Sequence, residues 1–102
     1  MIDTPGWVYT LHFDAPLGDP ARPRMSARHY TGWAPLGGLL SRLLDHKRGG
    51  AHSACITRAA AMRGIGWHVA ALEHGTPARE RQLKQCGAAR RCPTCRREAA
   101  AR

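Results

Sequence analysis

The chain has 102 residues, 43% of them apolar, 23% charged and 6% aromatic, which suits one small folded domain and excludes a disordered chain or a multi-domain enzyme. Sixteen Lys and Arg against seven Asp and Glu leave a formal charge of +9. No run approaches the roughly 18 uninterrupted apolar residues of a membrane span, so no membrane partner is expected. Residues 1–21 carry Asp3, Asp14 and Asp19 and no Lys or Arg, whereas residues 22–102 hold all sixteen basic side chains against Asp45, Glu73, Glu80 and Glu98. Such an excess attracts polyanions and releases their counterions on binding. Fourteen of the sixteen are Arg, whose planar fork matches phosphate oxygens. A GC-rich coding bias would explain the choice of Arg over Lys but not the shortage of acids, so nucleic acid is the expected partner. The opening Met1-Ile2-Asp3-Thr4-Pro5-Gly6 has neither a basic nor an apolar signal region, from which a cytoplasmic location is expected.

Residues 7–13 alternate with period two, Trp7, Tyr9, Leu11 and Phe13 on one face and Val8, Thr10 and His12 on the other, which predicts a strand. Residues 14–27 contain Pro16, Gly18, Pro20 and Pro23 and read as loop. Residues 28–34 read as a second strand, a hairpin partner of the first. The period then changes. Leu36, Leu39, Leu40, Leu43 and Leu44 fall at the spacing of an amphipathic helix, which Gly49-Gly50 ends. Residues 54–63 suit a short second helix closed by Gly64, and residues 65–72 a third strand. Thr76 as N-cap and Pro77 at the first helical position start a third helix, expected to reach Cys86 and stop at Gly87. The basic residues beyond it lack apolar periodicity and read as a tail or a knuckle. The order predicts a small α/β layered domain over residues 1–86, followed by a Cys-containing tail over 87–102.

Arg42 and His46 are four apart on the Leu-rich helix and project side by side, opposite Leu40 if the leucines face the core. They are either two solvated polar residues or a phosphate clamp beside a titratable imidazole. Tyr9 and Tyr30 are the only tyrosines, each mid-strand, where packing with a wet hydroxyl is the ordinary role. Glu80 lies early in the third helix among Arg79, Arg81 and Lys84. The helix dipole explains a carboxylate there, and so does retention of a phosphate-bound Mg2+. Cysteines stand at 55, 86, 92 and 95. Cys92-Pro93-Thr94-Cys95 is a C-x2-C knuckle, half of a zinc site. Cys86 lies six residues upstream, Cys55 would make a four-thiolate set, and His52 or His74 could substitute. The alternative is reduced free thiols in a basic tail. If zinc is present, it would pin that tail.

Taken in order, Val8-Tyr9, Tyr30-Thr31-Gly32, Arg42-x-x-x-His46 and Glu80-Arg81-Gln82-Leu83-Lys84 form a series that resembles the GIY-YIG nuclease superfamily over about residues 7–86. The resemblance implies a three-stranded antiparallel sheet flanked by helices, and metal-dependent hydrolysis of DNA phosphodiesters. It implies that Tyr9 positions or deprotonates the attacking water, with Tyr30 as the second hydrogen-bonding phenol. Arg42 and His46 are the helix pair, Gly32 is the closing glycine of the second motif, and Glu80 holds Mg2+ or Mn2+. Expected nucleic-acid contacts are Gly32, Lys47, Arg48, Arg79, Lys84, Arg90 and Arg91. The sequence departs from the pattern in reading Trp7-Val8-Tyr9 where the family has Gly-Ile-Tyr, in placing twenty residues between Tyr9 and Tyr30, and in having no Asn. The rival expectation is a zinc-knuckle nucleic-acid-binding module with the fold but no turnover. A third is an interaction subunit whose partner protein supplies specificity.

Overall fold

The computed structural model describes residues 4–17, 27–50, 53–85 and 92–101. Its elements are β1 (Gly6–Leu17), β2 (Ala27–Pro35), α1 (Leu39–Arg48), α2 (Cys55–Met62), β3 (Trp67–Gly75), α3 (Pro77–Gln85) and α4 (Pro93–Ala100). The three strands form one open antiparallel sheet in the order β2-β1-β3. Among the described residues no helix is long and apolar enough to cross a membrane.

The period-two run is the centre of this sheet, and both of its faces are covered. Tyr9, Leu11 and Phe13 are buried on one side, Val8, Thr10 and His12 on the other. Tyr9, Leu11 and Ala34 form one core cluster and Phe13, Leu17 and Ala60 another, and Tyr30 and Trp67 pack against both. β1 runs four residues beyond the alternating segment, to Leu17, with a register shift between His12 and Leu17 in its pairing with β2. The longer strands take up much of the chain between Tyr9 and Tyr30. A second irregularity, between Thr10 and Leu11, leaves Ala70 of β3 without an opposite residue.

Helix boundaries follow their local signals. Gly49 ends α1 in the left-handed region at φ 64°, with its N–H donating to the Asp45 carbonyl at 3.1 Å. The Thr76 hydroxyl accepts from the Arg79 N–H at 3.3 Å, capping α3 ahead of Pro77.

The facing of α1 differs from the expectation. Leu40 is 71% exposed, and Leu36 and Leu44 are exposed beside it, while Leu39 and Leu43 pack on the Tyr9 cluster and His46 is wholly buried. Leu39, Arg42, Leu43 and His46 therefore form the inward stripe, still with i, i+3, i+4, i+7 spacing but rotated from the one the leucines suggest. The reason lies across the interface: β1 and α2 offer hydroxyls to His46, and hydrogen bonding offsets the cost of burying an imidazole. The segment expected as a tail also holds a helix, α4, with Pro93 in its first turn.

Candidate functional site

Gly32 stands opposite Tyr9 across the β1–β2 ladder. A side chain there would collide with the Tyr9 phenol and the Tyr30 ring, so glycine leaves the volume that the two rings occupy. Gly32 is itself buried, and what it supplies is space rather than a nucleic-acid contact. Tyr30 pairs with Leu11, two residues along from Tyr9, and the diagonal neighbours hold their ring centroids 6.3 Å apart.

α1 lays His46 against these rings. Its Nε2 is 2.7 Å from Tyr9 Oη and its Nδ1 is 2.9 Å from Thr57 Oγ1. The single hydroxyl hydrogen of Thr57 goes to the Ala54 carbonyl at 2.9 Å, so the Thr57 oxygen accepts from His46 Nδ1–H. That assigns the tautomer: Nε2 carries the lone pair, and Tyr9 Oη donates to it. Burial, aided by the Arg42 charge, lowers the His46 pKa to about 4, so the ring is neutral at ordinary pH. Burial and the neighbouring Tyr30 phenol push Tyr9 up to about 12, against an opposing pull from Arg42. Arg42 hydrogen-bonds both phenols. Burial acts against its charge, yet the two tyrosines hold its pKa above the usual value.

Glu80, from α3, lies close enough for its charge to act on Tyr9. Its carboxylate is 3.2 Å from Lys84 Nζ, and that ammonium stands 5.4 Å from the centroid of the Tyr30 ring. Five side chains singled out in the sequence, Tyr9, Tyr30, Arg42, His46 and Glu80, are thus gathered from four elements. The two phenols differ in exposure. Tyr9 is entirely buried and its hydrogen is committed to His46, while Tyr30 and Arg42 are part-exposed.

Of the expected nucleic-acid contacts, Lys47, Arg48, Arg79 and Lys84 are exposed. Lys47 Nζ stands 4.7 Å over the Trp67 ring, and Arg79 pairs with Glu73 at 3.5 Å and donates to Gln82 Oε1 at 2.7 Å. Cys86, Arg90 and Arg91 lie outside the described residues.

The opposite face of β1 carries a second cluster. His12 pairs with His29 of β2 on one side and His68 of β3 on the other, so three imidazoles stand in a row across the sheet. The first turn of α4 brings Cys92 and Cys95 against two of them. Cys92 Sγ is 3.4 Å and Cys95 Sγ 3.6 Å from His12 Nδ1, Cys95 Sγ is 3.3 Å from His29 Nε2, and the two ring nitrogens are 3.1 Å apart. All four ligand atoms lie within 4.8 Å of one another and could hold a metal ion. Two nitrogens and two sulfurs suit zinc, whereas magnesium takes oxygen donors. Burial and the adjacent Cys92 raise the Cys95 pKa, and burial and the Arg28 charge lower that of His12.

Cys92 and Cys95 were legible as half of this set, but their companions differ from those expected. Cys55 is an exposed thiol at the start of α2, and His74 stacks on Trp7 with ring centroids 3.9 Å apart. His52 lies outside the described residues. His12 and His29 went unnoticed because each stands alone within its strand. The available signal was two histidines on matching faces of a hairpin in a chain with an unpaired C-x2-C.

Comparison of the chain with protein-family models, with curated proteins and with solved structures finds no match.

Proposed function

We propose that the chain is a divalent-metal-dependent endonuclease of the GIY-YIG type, hydrolysing DNA phosphodiester bonds. One observation carries the reading: Arg42 hydrogen-bonds both Tyr9 and Tyr30 while the charge of the Glu80 carboxylate acts on Tyr9. A domain that only bound nucleic acid would have no need to converge two phenols, a guanidinium and a carboxylate on one spot. The charge of +9 favours a polyanionic substrate.

Glu80 offers hard oxygen donors on a basic surface, its side chain 20% exposed. Mg2+ is characteristically held by one or two carboxylates together with substrate phosphates, so the residue fits Mg2+ or Mn2+. When bound, the ion would polarise a non-bridging phosphate oxygen and neutralise charge on the leaving oxygen. Lys84 stands between that carboxylate and the Tyr30 ring and can meet a phosphate there. Arg42, part-exposed beside the two phenols, brings its charge to the charge that builds on the phosphate in the transition state. The Tyr30 hydroxyl oxygen accepts a hydrogen bond from the attacking water and so orients it toward the phosphorus. Tyr9 holds the guanidinium from beneath and is itself held by His46.

The deciding experiment is plasmid nicking by the full chain with Mg2+ or Mn2+, compared with Glu80→Gln. The folded variant should lose cleavage by several orders of magnitude and retain duplex binding. If Glu80 serves only the helix dipole, its loss costs about 0.3–1 kcal/mol of stability and leaves cleavage intact. That result would leave the binding-module reading in its place.

A further inference from the structure

We infer that His12, His29, Cys92 and Cys95 bind one zinc ion, and that this ion is what fastens α4 to the sheet. The first argument is geometric. A tetrahedral zinc with ordinary Zn–N and Zn–S bonds separates its ligand atoms by about 3.3 Å for two nitrogens and about 3.6 Å for nitrogen and sulfur. The separations here are 3.1 Å between the ring nitrogens and 3.3–3.6 Å for three nitrogen–sulfur pairs, the edges of such a tetrahedron.

The second argument is one of hydrogen counting. Three neighbours, His29 Nε2, Cys92 Sγ and Cys95 Sγ, converge on the single atom His12 Nδ1. A ring nitrogen either donates one hydrogen or offers one lone pair, so hydrogen bonding serves that arrangement poorly. A cation at the common centre serves all four atoms at once, and binding it releases the two thiol protons to solvent.

The third argument concerns what else could hold α4. None of its eight residues is buried, so it brings no apolar stripe to the sheet. What is buried is Cys92, at its N-cap, with no exposure at all. Thr94 Oγ1 lies 2.8 Å from His68 Nε2, which orients the turn between the two thiols but stands at the surface. With four protein ligands the centre is closed, so its role is structural. Tyr9 and His12 are three apart on β1 and point to opposite faces, so the zinc centre is separate from the proposed nuclease site and stands or falls independently of it.

The test uses the full chain, purified reduced and without chelator. Elemental analysis should find one zinc per chain. After chelator treatment, titration with Co2+ alone should give the intense visible bands and thiolate charge-transfer absorption of a tetrahedral two-nitrogen, two-sulfur centre. Cys55→Ser and His74→Ala should keep that spectrum; His29→Ala and Cys95→Ser should lose it. Wild-type protein that binds no zinc and gives no such Co2+ spectrum overturns the site, whatever the variants do. A spectrum abolished by Cys55→Ser overturns the ligand set. Hydrogen exchange tests the fastening: α4 amides should lose protection when zinc is removed, while α1 keeps its own. Equal protection with and without metal overturns that role.

Discussion

Tyr9 Oη and His46 Nε2 are 2.7 Å apart, and the direction of their hydrogen bond is decided elsewhere, by Thr57. The Thr57 hydroxyl spends its hydrogen on Ala54, so His46 must donate from Nδ1 and accept at Nε2. A polar chain thus runs from α2 through His46 of α1 to Tyr9 of β1, all buried, and on through the part-exposed Arg42 to Tyr30. Both neutral partners are held neutral by burial, the histidine with a pKa of about 4 and the tyrosine about 12.

Acid stability should report this histidine. Its folded pKa of about 4 lies below the unfolded value of 6.5, so between pH 6.5 and 4 the unfolded chain takes up a proton that the folded chain refuses. The His46 contribution is therefore fully present above pH 6.5 and is lost as pH falls toward 4, by about 3 kcal/mol in all. His46→Gln should be less stable than wild type at pH 7, with the gap closing as the pH is lowered. Denaturant unfolding at a series of pH values checks this. Parallel curves would show that His46 is not buried neutral.

The two tyrosines should separate in their effects. Tyr30→Phe removes the hydroxyl of the part-exposed phenol, and plasmid cleavage should fall on the order of a hundredfold or more with little loss of stability. Tyr9→Phe leaves His46 Nε2 a buried acceptor without a donor, which should cost about 1–3 kcal/mol. It should lower cleavage less than Tyr30→Phe. The reverse ranking of rates would return the water-facing role to Tyr9.

The rotation of α1 is testable without any activity. Leu40→Glu should change stability by no more than about 0.5 kcal/mol, as for an ordinary surface site. Leu43→Ala, which removes a side chain packed on the Tyr9 cluster, should cost about 2 kcal/mol. Thermal unfolding of the two variants decides between this facing and one with all the leucines inward.

Salt dependence should measure the basic surface. Residues 79–102 carry eight Lys and Arg and two Glu. If that surface neutralises about five phosphates, duplex affinity should fall with a log–log salt slope of roughly −4 to −5. Removing Arg79 and Lys84 together should flatten the slope by about 2 and weaken all sequences alike, because phosphate contacts position without reading bases. A slope near zero would remove DNA as the partner.

The amino-acid sequence by itself determined where the three strands and the first three helices lie, though neither the far end of β1 nor α4. Alternation from Trp7 to Phe13, the Thr76-Pro77 start and the Gly49 stop are signals between neighbours in the chain, and local signals act whatever the rest of the molecule does. It also marked Tyr9, Tyr30, Arg42, His46 and Glu80 as a set, because their order resembles that of a known superfamily. The tertiary structure decided everything that depends on who stands opposite whom. Leucine content turned the α1 stripe toward Leu40 on paper; the hydroxyls of Thr57 and Tyr9 turn His46 inward instead. The C-x2-C pair announced itself, but nothing near Cys92 in the chain points to His12, eighty residues away. That pairing arises because β1 lies at the centre of the sheet, where its neighbours on both sides, and the two thiols that reach His12, come from distant parts of the chain.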